Sequence, residues 1–261
     1  MAGDPDLQVV ADPGALAAAG AEHVVRACRT AVAGRGEFAI ALSGGDTPKP
    51  LYERLGEEPF RSRVPWDKVR VFWGDERGVP PTDPRSNFRM AEETLLRRVP
   101  VRPERVHRMP AERADLDEAA DEYADVLRVH VPAGAGGWPR LDLVLLGLGE
   151  DAHVASLFPG APVLREARRT VVAYYVPAQG MNRMTLTAPV LSRAGEVLFL
   201  VSGASKAEAL WRVLEGPRRP DVVPAQLIRP VGGGRVLWLA DAASTSRLSR
   251  RAAARSEEGA G

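Results

Sequence analysis

The sequence is poor in cysteine, in long apolar runs and in excess charge of either sign. Among its 261 residues there is one cysteine, Cys28. No disulfide can therefore form within the chain, and a reducing compartment is expected. The longest strongly apolar run, residues 141–148, is far too short to cross a bilayer as a helix. Residues 1–14 lack the basic and apolar segments of a signal peptide. We therefore expect a cytoplasmic protein with no membrane partner.

The charges are balanced, with 35 Lys and Arg against 34 Asp and Glu and a net charge of +1. Such a chain has no field that would attract a nucleic-acid backbone, so nucleic acid is not expected as a partner. A net charge near zero is compatible with a monomer or a homodimer. The length is ample for a hydrophobic core without a disulfide or metal, and Cys28 in its Ala/Val-rich run is interpreted as a buried bystander.

Short β-rich runs alternate with longer helical stretches, and many of these runs are apolar on both faces. This pattern predicts an α/β fold with one doubly wound, mainly parallel sheet and helices on both faces. A single domain is expected over residues 1–243, with a solvated tail over residues 244–261. The predicted strands are residues 37–42, 69–73, 142–147, 170–175, 184–187, 197–201 and 235–239. The predicted helices are residues 14–33, 48–55, 86–97, 116–131 and 205–214.

The first predicted strand is followed by a glycine-containing turn. Ser43, Gly44, Gly45 and Thr47 lie in this turn, immediately before a predicted helix. Ligands of an open parallel sheet bind beyond the carboxyl ends of its strands. Glycines allow the backbone to approach a ligand, and exposed N–H groups before a helix bind phosphate. A turn that is merely tight would explain the same residues.

Charged residues and a histidine follow two further strands. Asp75 and Arg77 come directly after the second strand, where a solvated loop with local ion pairs is the alternative. His153 follows the most apolar strand, with Asp151 two residues before it. The carboxylate and the position at the ligand edge make this histidine a candidate for catalysis, against a purely structural role.

Two basic residues lie at the same predicted edge. Arg183 precedes one strand and Lys206 follows another, and both suit a phosphate, although ordinary surface charges are the alternative. Ser86 and Asn87 open a predicted helix, and helix capping alone would explain them.

Gly147, Gly149 and Ala152 match the loose dinucleotide pattern G-x-G-x-x-A. Glu150 and Asp151 would repel a pyrophosphate at this place, and no acidic residue ends the following strand to hold a ribose. We therefore expect no dinucleotide cofactor. No cluster of His, Cys and Asp has metal-ligand spacing either, so no metal is expected.

Five strings in this order resemble the signature of the 6-phosphogluconolactonases: ALSGGDTPKPLY, VFWGDERGVPPTDPRSNFRMAEETLL, LDLVLLGLGEDAHVASLFPG, NRMTLTAPVL and VSGASKAEAL. The resemblance extends over residues 37–243. The wider superfamily includes glucosamine-6-phosphate deaminase and has a Rossmann-like sheet, which the resemblance implies here.

The resemblance also implies a substrate, 6-phospho-D-glucono-1,5-lactone, which is a small phosphorylated sugar lactone. Its phosphate would be held by Ser43, Gly44, Gly45, Thr47, Arg183 and Lys206. Asp75, Arg77 and His153 would line the lactone end. We expect His153 to act as general base on water, oriented by Asp151 or Asp75. The oxyanion would be stabilised by Arg77 or by backbone N–H groups.

Two positions separate this chain from relatives. The family usually has glycine where this chain has Ala152, which would be strained if the backbone there requires a positive φ. The deaminases have a glutamate where this chain has Phe158, which favours ester hydrolysis over amino-sugar chemistry. An aminosugar-phosphate deaminase or isomerase and a non-catalytic sugar-phosphate sensor are the alternatives.

Overall fold

The computed structural model describes residues 6–249, and its largest element is a parallel sheet. The strands of this sheet are β1 (Asp6–Val10), β2 (Phe38–Leu42), β3 (Val69–Trp73), β5 (Leu143–Gly147), β8 (Glu196–Val201) and β9 (Arg235–Asp241). They follow the order β1-β9-β8-β5-β2-β3, and each neighbouring pair is parallel. The mainly parallel α/β fold is confirmed. Because parallel strands end at one edge, the segments that follow them meet there.

A separate, antiparallel sheet flanks that edge. It consists of β4 (Asp75–Arg77), β6 (Val171–Val176) and β7 (Met181–Leu186) in the order β4-β7-β6. The strands predicted near 170–175 and 184–187 are confirmed, but they pair with each other instead of joining the parallel sheet. Residues 75–77, for which a solvated loop was the alternative, form a strand, because their backbone pairs with β7. Three charged residues give no apolar alternation from which to predict it.

Helices cover both faces of the parallel sheet. As a result, every residue of β2 and of β8 is buried. The helices are α1 (Pro13–Arg35), α2 (Lys49–Leu55), α3 (Phe60–Arg63), α4 (Asn87–Thr94), α5 (Leu116–His130), α6 (Ala188–Leu191) and α7 (Ala207–Leu214). Side-chain caps begin α1 at Asp12, α4 at Ser86 and α5 at Asp115, so the capping interpretation of Ser86 is confirmed.

Cys28 lies in α1 with no exposed surface, as the bystander interpretation requires. Burial, with a smaller effect of the Asp142 carboxylate, raises the pKa of its thiol to about 12. The thiol is therefore protonated and unreactive at neutral pH.

Residues 244–249, which we expected to belong to a solvated tail, pack against the domain. Ser244 is fully buried and donates from its hydroxyl to the carbonyl of Val201 at 3.1 Å. Leu248 packs against the core, and the backbone N–H of Ser249 donates to Glu215 at 2.9 Å. These anchors are mostly polar, so apolar periodicity could not reveal them. The rest of the predicted tail, residues 250–261, lies outside the described residues.

Candidate active site

A cavity of about 320 Å³ opens at the carboxyl edge of the parallel sheet. Nine of the ten residues predicted for the site line it: Ser43, Gly44, Gly45, Thr47, Asp75, Arg77, His153, Arg183 and Lys206. The tenth, Asp151, contacts His153. The structure thus brings together residues that are up to 163 positions apart in the chain (206 − 43).

The hydroxyl of Tyr52 holds both backbone polar groups of Ser43, the first residue of the glycine turn after β2. The backbone N–H of Ser43 donates to the hydroxyl of Tyr52, which donates in turn to the Ser43 carbonyl, each at 2.9 Å. Gly44 has no room for a side chain, since a Cβ would lie 1.7 Å from Oδ1 of Asn87. The turn therefore presents its backbone to the cavity without an intervening side chain.

Two cations line the same cavity as the turn. Arg183 on β7 is 7% exposed, and its Nη2 donates to Oε1 of Gln179 at 3.2 Å. Burial lowers the pKa of its guanidinium, although the charge of Asp75 opposes this effect. Lys206 has one long contact to a carboxylate, 3.9 Å from Nζ to Oε1 of Glu150. Both side chains line the cavity and can receive an anion.

His153 forms a close pair with the carboxylate of Asp151. Nδ1 of His153 lies 2.6 Å from Oδ1 of Asp151, which also accepts the backbone N–H of His153 at 3.1 Å. Burial opposes ionisation of Asp151, but these contacts with His153 outweigh it, and the pKa of the carboxyl is lowered. An ionised acceptor at Nδ1 places the proton of a neutral imidazole there and leaves the Nε2 lone pair free.

The loop around this pair is tightly folded. A Cβ on Gly149 would lie 2.0 Å from Nδ1 of His153, so only glycine fits beneath the ring. Ala152 is fully buried and has a φ of 68°. This is the positive φ at which an alanine is strained and a glycine is not. The ring of Phe158 stacks on His153, with centroids 4.3 Å apart.

Asp75 does not contact His153 in the hydrogen-bond network. Its Oδ2 accepts the hydroxyl of Ser156 at 2.7 Å, and its Oδ1 accepts Nδ2 of Asn87 at 3.2 Å. Between the two carboxylates left open by the sequence, the geometry places Asp151 beside the imidazole. Arg77 donates from Nη1 to the carbonyl of Arg85 at 2.6 Å and lines the cavity.

Sequence reasoning missed three side chains of this site. Asn87 was interpreted as a cap, whereas its amide lines the cavity and holds Asp75. Ser156 and Gln179 were not singled out, although they hold Asp75 and Arg183. The one available signal was polarity next to a recognised motif, since Ser156 lies three residues after His153.

Within residues 6–249, no three His, Cys, Asp or Glu side chains converge as metal ligands would. Over the same residues, no helix combines the length and apolarity needed to span a membrane. The cavity is that of an α/β enzyme acting on an anionic substrate, because it holds cations beside an imidazole that is free to accept a proton.

Comparison with known proteins narrows this class. A sequence model described as glucosamine-6-phosphate isomerases/6-phosphogluconolactonase matches residues 11–238, and the chain belongs to this family. It is 44% identical to the 6-phosphogluconolactonase of a Synechocystis species, over 81% of this chain and 85% of that protein. It is 40% identical to the 6-phosphogluconolactonase of a Nostoc species, over 93% of this chain and 98% of that protein.

A solved structure agrees with the sequence relatives. The 6-phosphogluconolactonase from Trypanosoma brucei is 29% identical and superimposes with a TM-score of 0.80, covering 94% of this chain and 99% of that chain. The resemblance predicted from the five strings is confirmed.

Proposed function

We propose that this protein hydrolyses 6-phospho-D-glucono-1,5-lactone to 6-phosphogluconate. One observation carries the proposal: the pair of His153 and Asp151, 2.6 Å apart, opens into the cavity that also holds the glycine turn and both cations. Relatives that align with nearly the whole chain are named 6-phosphogluconolactonases, which supports this substrate.

The phosphate of the substrate would bind between the glycine turn, Arg183 and Lys206. The backbone N–H groups of residues 44–47 offer donors, with no intervening side chain at Gly44. The guanidinium supplies two parallel donors, and the ammonium supplies a compact charge. A dianion would also compensate the buried charge of Arg183, for which Asp75 at 3.9 Å is only a distant partner.

His153 would then act as general base. Its Nε2 takes a proton from water as the water oxygen attacks the lactone carbonyl carbon C1. The tetrahedral oxyanion collapses, the bond from C1 to the ring oxygen breaks, and the imidazolium returns the proton to that oxygen. Such assistance typically contributes about 10²–10⁴ in rate. Asp151 fixes the tautomer of the neutral imidazole and stabilises the imidazolium that forms during the reaction.

The oxyanion would be stabilised by Arg77 or by backbone N–H groups of the cavity. Arg77 lines the cavity, and its Nη1 donates to the carbonyl of Arg85, which holds the guanidinium in place. Ester hydrolysis of this kind needs no cofactor and no metal. A single catalytic domain, cytoplasmic and either monomeric or dimeric, stays our expectation.

The test is lactone decay, with the lactone generated in situ by a glucose-6-phosphate dehydrogenase. Decay is compared at pH 7 without protein, with the protein and with His153→Ala. We expect acceleration that the substitution abolishes. Acceleration that survives would discard His153 as the base while leaving the function in place.

Two further assays separate the alternatives. Release of ammonia from glucosamine 6-phosphate would identify a deaminase, and binding of 6-phosphogluconate without turnover would identify a sensor. Phe158 stands against the deaminase, because an apolar ring occupies the place beside His153 where a second carboxylate would be needed.

A further inference from the structure

Asp75 is a buried carboxylate held by side chains from three other parts of the chain. It is 6% exposed, yet it lines the cavity. Ser156 donates to Oδ2 at 2.7 Å, and Asn87 donates to Oδ1 at 3.2 Å and to the Asp75 carbonyl at 2.8 Å. Nη1 of Arg183 lies 3.9 Å from Oδ2. The hydrolytic steps described above give no task to Ser156 or Asn87.

Ser156 cannot itself touch a substrate, because it has no exposed surface. Its backbone N–H donates to Oγ1 of Thr185 at 3.2 Å, and its carbonyl accepts the hydroxyl of Tyr174. The preceding residue, Ala155, has a φ of 47°, so the chain turns sharply before Ser156. The hydroxyl is thus held at one place and directed at one partner, the carboxylate of Asp75.

Asn87 is held just as firmly. The carboxylate of Glu76 accepts the backbone N–H groups of Asn87 and Phe88 at 2.7 and 2.8 Å, and this fixes the start of α4. Ser156 and Asn87 therefore each fix one of the two oxygens of Asp75. A carboxylate has about four acceptor positions, so these two donors leave lone pairs for the cavity.

We propose that Ser156 is a positioning residue that orients Asp75 to accept a hydrogen bond from a ring hydroxyl of the sugar. Asn87 assists from the other oxygen. The inference rests on the proposed function, since it assumes a polyhydroxylated substrate. It assigns recognition of the sugar to Asp75, separately from recognition of the phosphate by the cations and the glycine turn.

A double-mutant cycle tests whether Ser156 acts through Asp75. The four proteins are the wild type, Ser156→Ala, Asp75→Asn and the double variant, and kcat/KM for the lactone is corrected for spontaneous decay. A hydrogen bond to a charged group supports a loss of about tenfold for Ser156→Ala in the wild-type background. In the Asp75→Asn background we expect a further loss of less than about twofold. Equal losses in both backgrounds would overturn the proposal.

Two controls separate positioning from general loosening of the loop. Tyr174→Phe removes a hydrogen bond to the same serine but leaves its hydroxyl on Asp75, so kcat/KM should stay within about twofold. Inorganic phosphate should inhibit wild type and Ser156→Ala equally, because it uses the anion site alone. A parallel loss of phosphate affinity would overturn the assignment to the sugar end.

Two further measurements replace the kinetic cycle if a variant is inactive or does not fold. If Asp75→Asn shows no measurable hydrolysis, calorimetric binding of 6-phosphogluconate to the four proteins gives the same coupling. If Ser156→Ala does not fold, Ser156→Cys keeps a weak donor at nearly the same volume and should show a smaller loss than Asp75→Asn. A wild type that neither hydrolyses the lactone nor binds the product would contradict the proposed function itself, whatever the variants do.

Discussion

The ring of Phe158 stacks on the imidazole of His153, with centroids 4.3 Å apart and planes inclined by 29°. Asp151 fixes one ring nitrogen by a hydrogen bond, and Phe158 fixes the plane of the ring by packing. The imidazole therefore has one orientation before any substrate arrives, which lowers the cost of reaching the reactive geometry.

Replacing Phe158 by leucine should lower kcat about three- to tenfold, with little change in KM. Leucine nearly conserves the buried volume, so the free energy of unfolding should fall by less than about 1.5 kcal/mol. The flat stacking surface is lost, however, and the imidazole can tilt. Steady-state kinetics and urea unfolding measure the two effects. Phe88→Leu, which disturbs an aromatic contact with Trp73 outside the cavity, should leave kcat unchanged; an equal fall there would contradict the explanation.

Asp151→Asn should reduce kcat by about 10²-fold or more. An amide is a poorer acceptor for the Nδ1 proton and cannot stabilise the imidazolium by charge. Glu150→Gln, a change of the same kind at the neighbouring residue, should alter kcat by less than about threefold. Equal losses in the two variants would show that the loop needs negative charge but no specific partner for the imidazole.

The sequence allowed five of the six strands of the parallel sheet and most of the site to be predicted, because both depend on local patterns, whereas the edge strand β1 was missed. Strands apolar on both faces identify a covered sheet, and His153 and Asp151 are only two residues apart. The antiparallel sheet was assigned wrongly, since β4 has no apolar pattern and its partner β7 lies more than 100 residues away. Ser156 and Asp75 are 81 residues apart, so their contact exists only once the fold brings the loops together.

Gly149→Ala should abolish measurable hydrolysis while the protein remains folded. The added Cβ would lie 2.0 Å from Nδ1 of His153 and 2.6 Å from Oδ1 of Asp151, so the pair must separate. Lactone decay and circular dichroism check both parts of the prediction. Gly34→Ala makes the same chemical change in α1, where a Cβ meets no atom within 4 Å, and should stabilise the helix by about 0.5–1 kcal/mol with full activity.

Ala152→Gly should change the free energy of unfolding by less than about 1 kcal/mol, although glycine suits the φ of 68° better. Relief of the backbone strain contributes about 1–2 kcal/mol. Loss of a buried methyl group costs about 0.8 kcal/mol, and the greater freedom of glycine in the unfolded chain about 0.5–1 kcal/mol. These contributions nearly cancel, which explains why alanine is tolerated. Ala152→Val adds bulk at a fully buried site with positive φ and should cost at least about 2–3 kcal/mol. Urea unfolding measures the free energy of unfolding of the two variants. A loss of less than about 1 kcal/mol for Ala152→Val would refute the strain argument.

His107 should make the protein less stable in acid. It does not line the active-site cavity. Its ring stacks on Phe72 and His130, with centroids 4.9 and 4.5 Å away, and its Nε2 is buried without a hydrogen-bond partner. Burial, together with the smaller effects of the charges of His130, Arg70 and Arg105, lowers the pKa of His107 from 6.5 to about 4.

Since the folded pKa lies below the unfolded one, the native state is not penalised above pH 6.5 and loses stability as the pH falls from 6.5 towards 4. With allowance for solvent screening at this partly exposed ring, the loss between pH 7 and 4.5 should be about 2 kcal/mol. His107→Phe keeps the stacked arrangement without a titrating group. Urea unfolding of both proteins at the two pH values should show a smaller acid loss for the variant by that amount, because the titrations of groups that do not contact His107 cancel in the difference. Equal acid losses in the two proteins would contradict this explanation, because protonation of His107 would then not lower the free energy of unfolding.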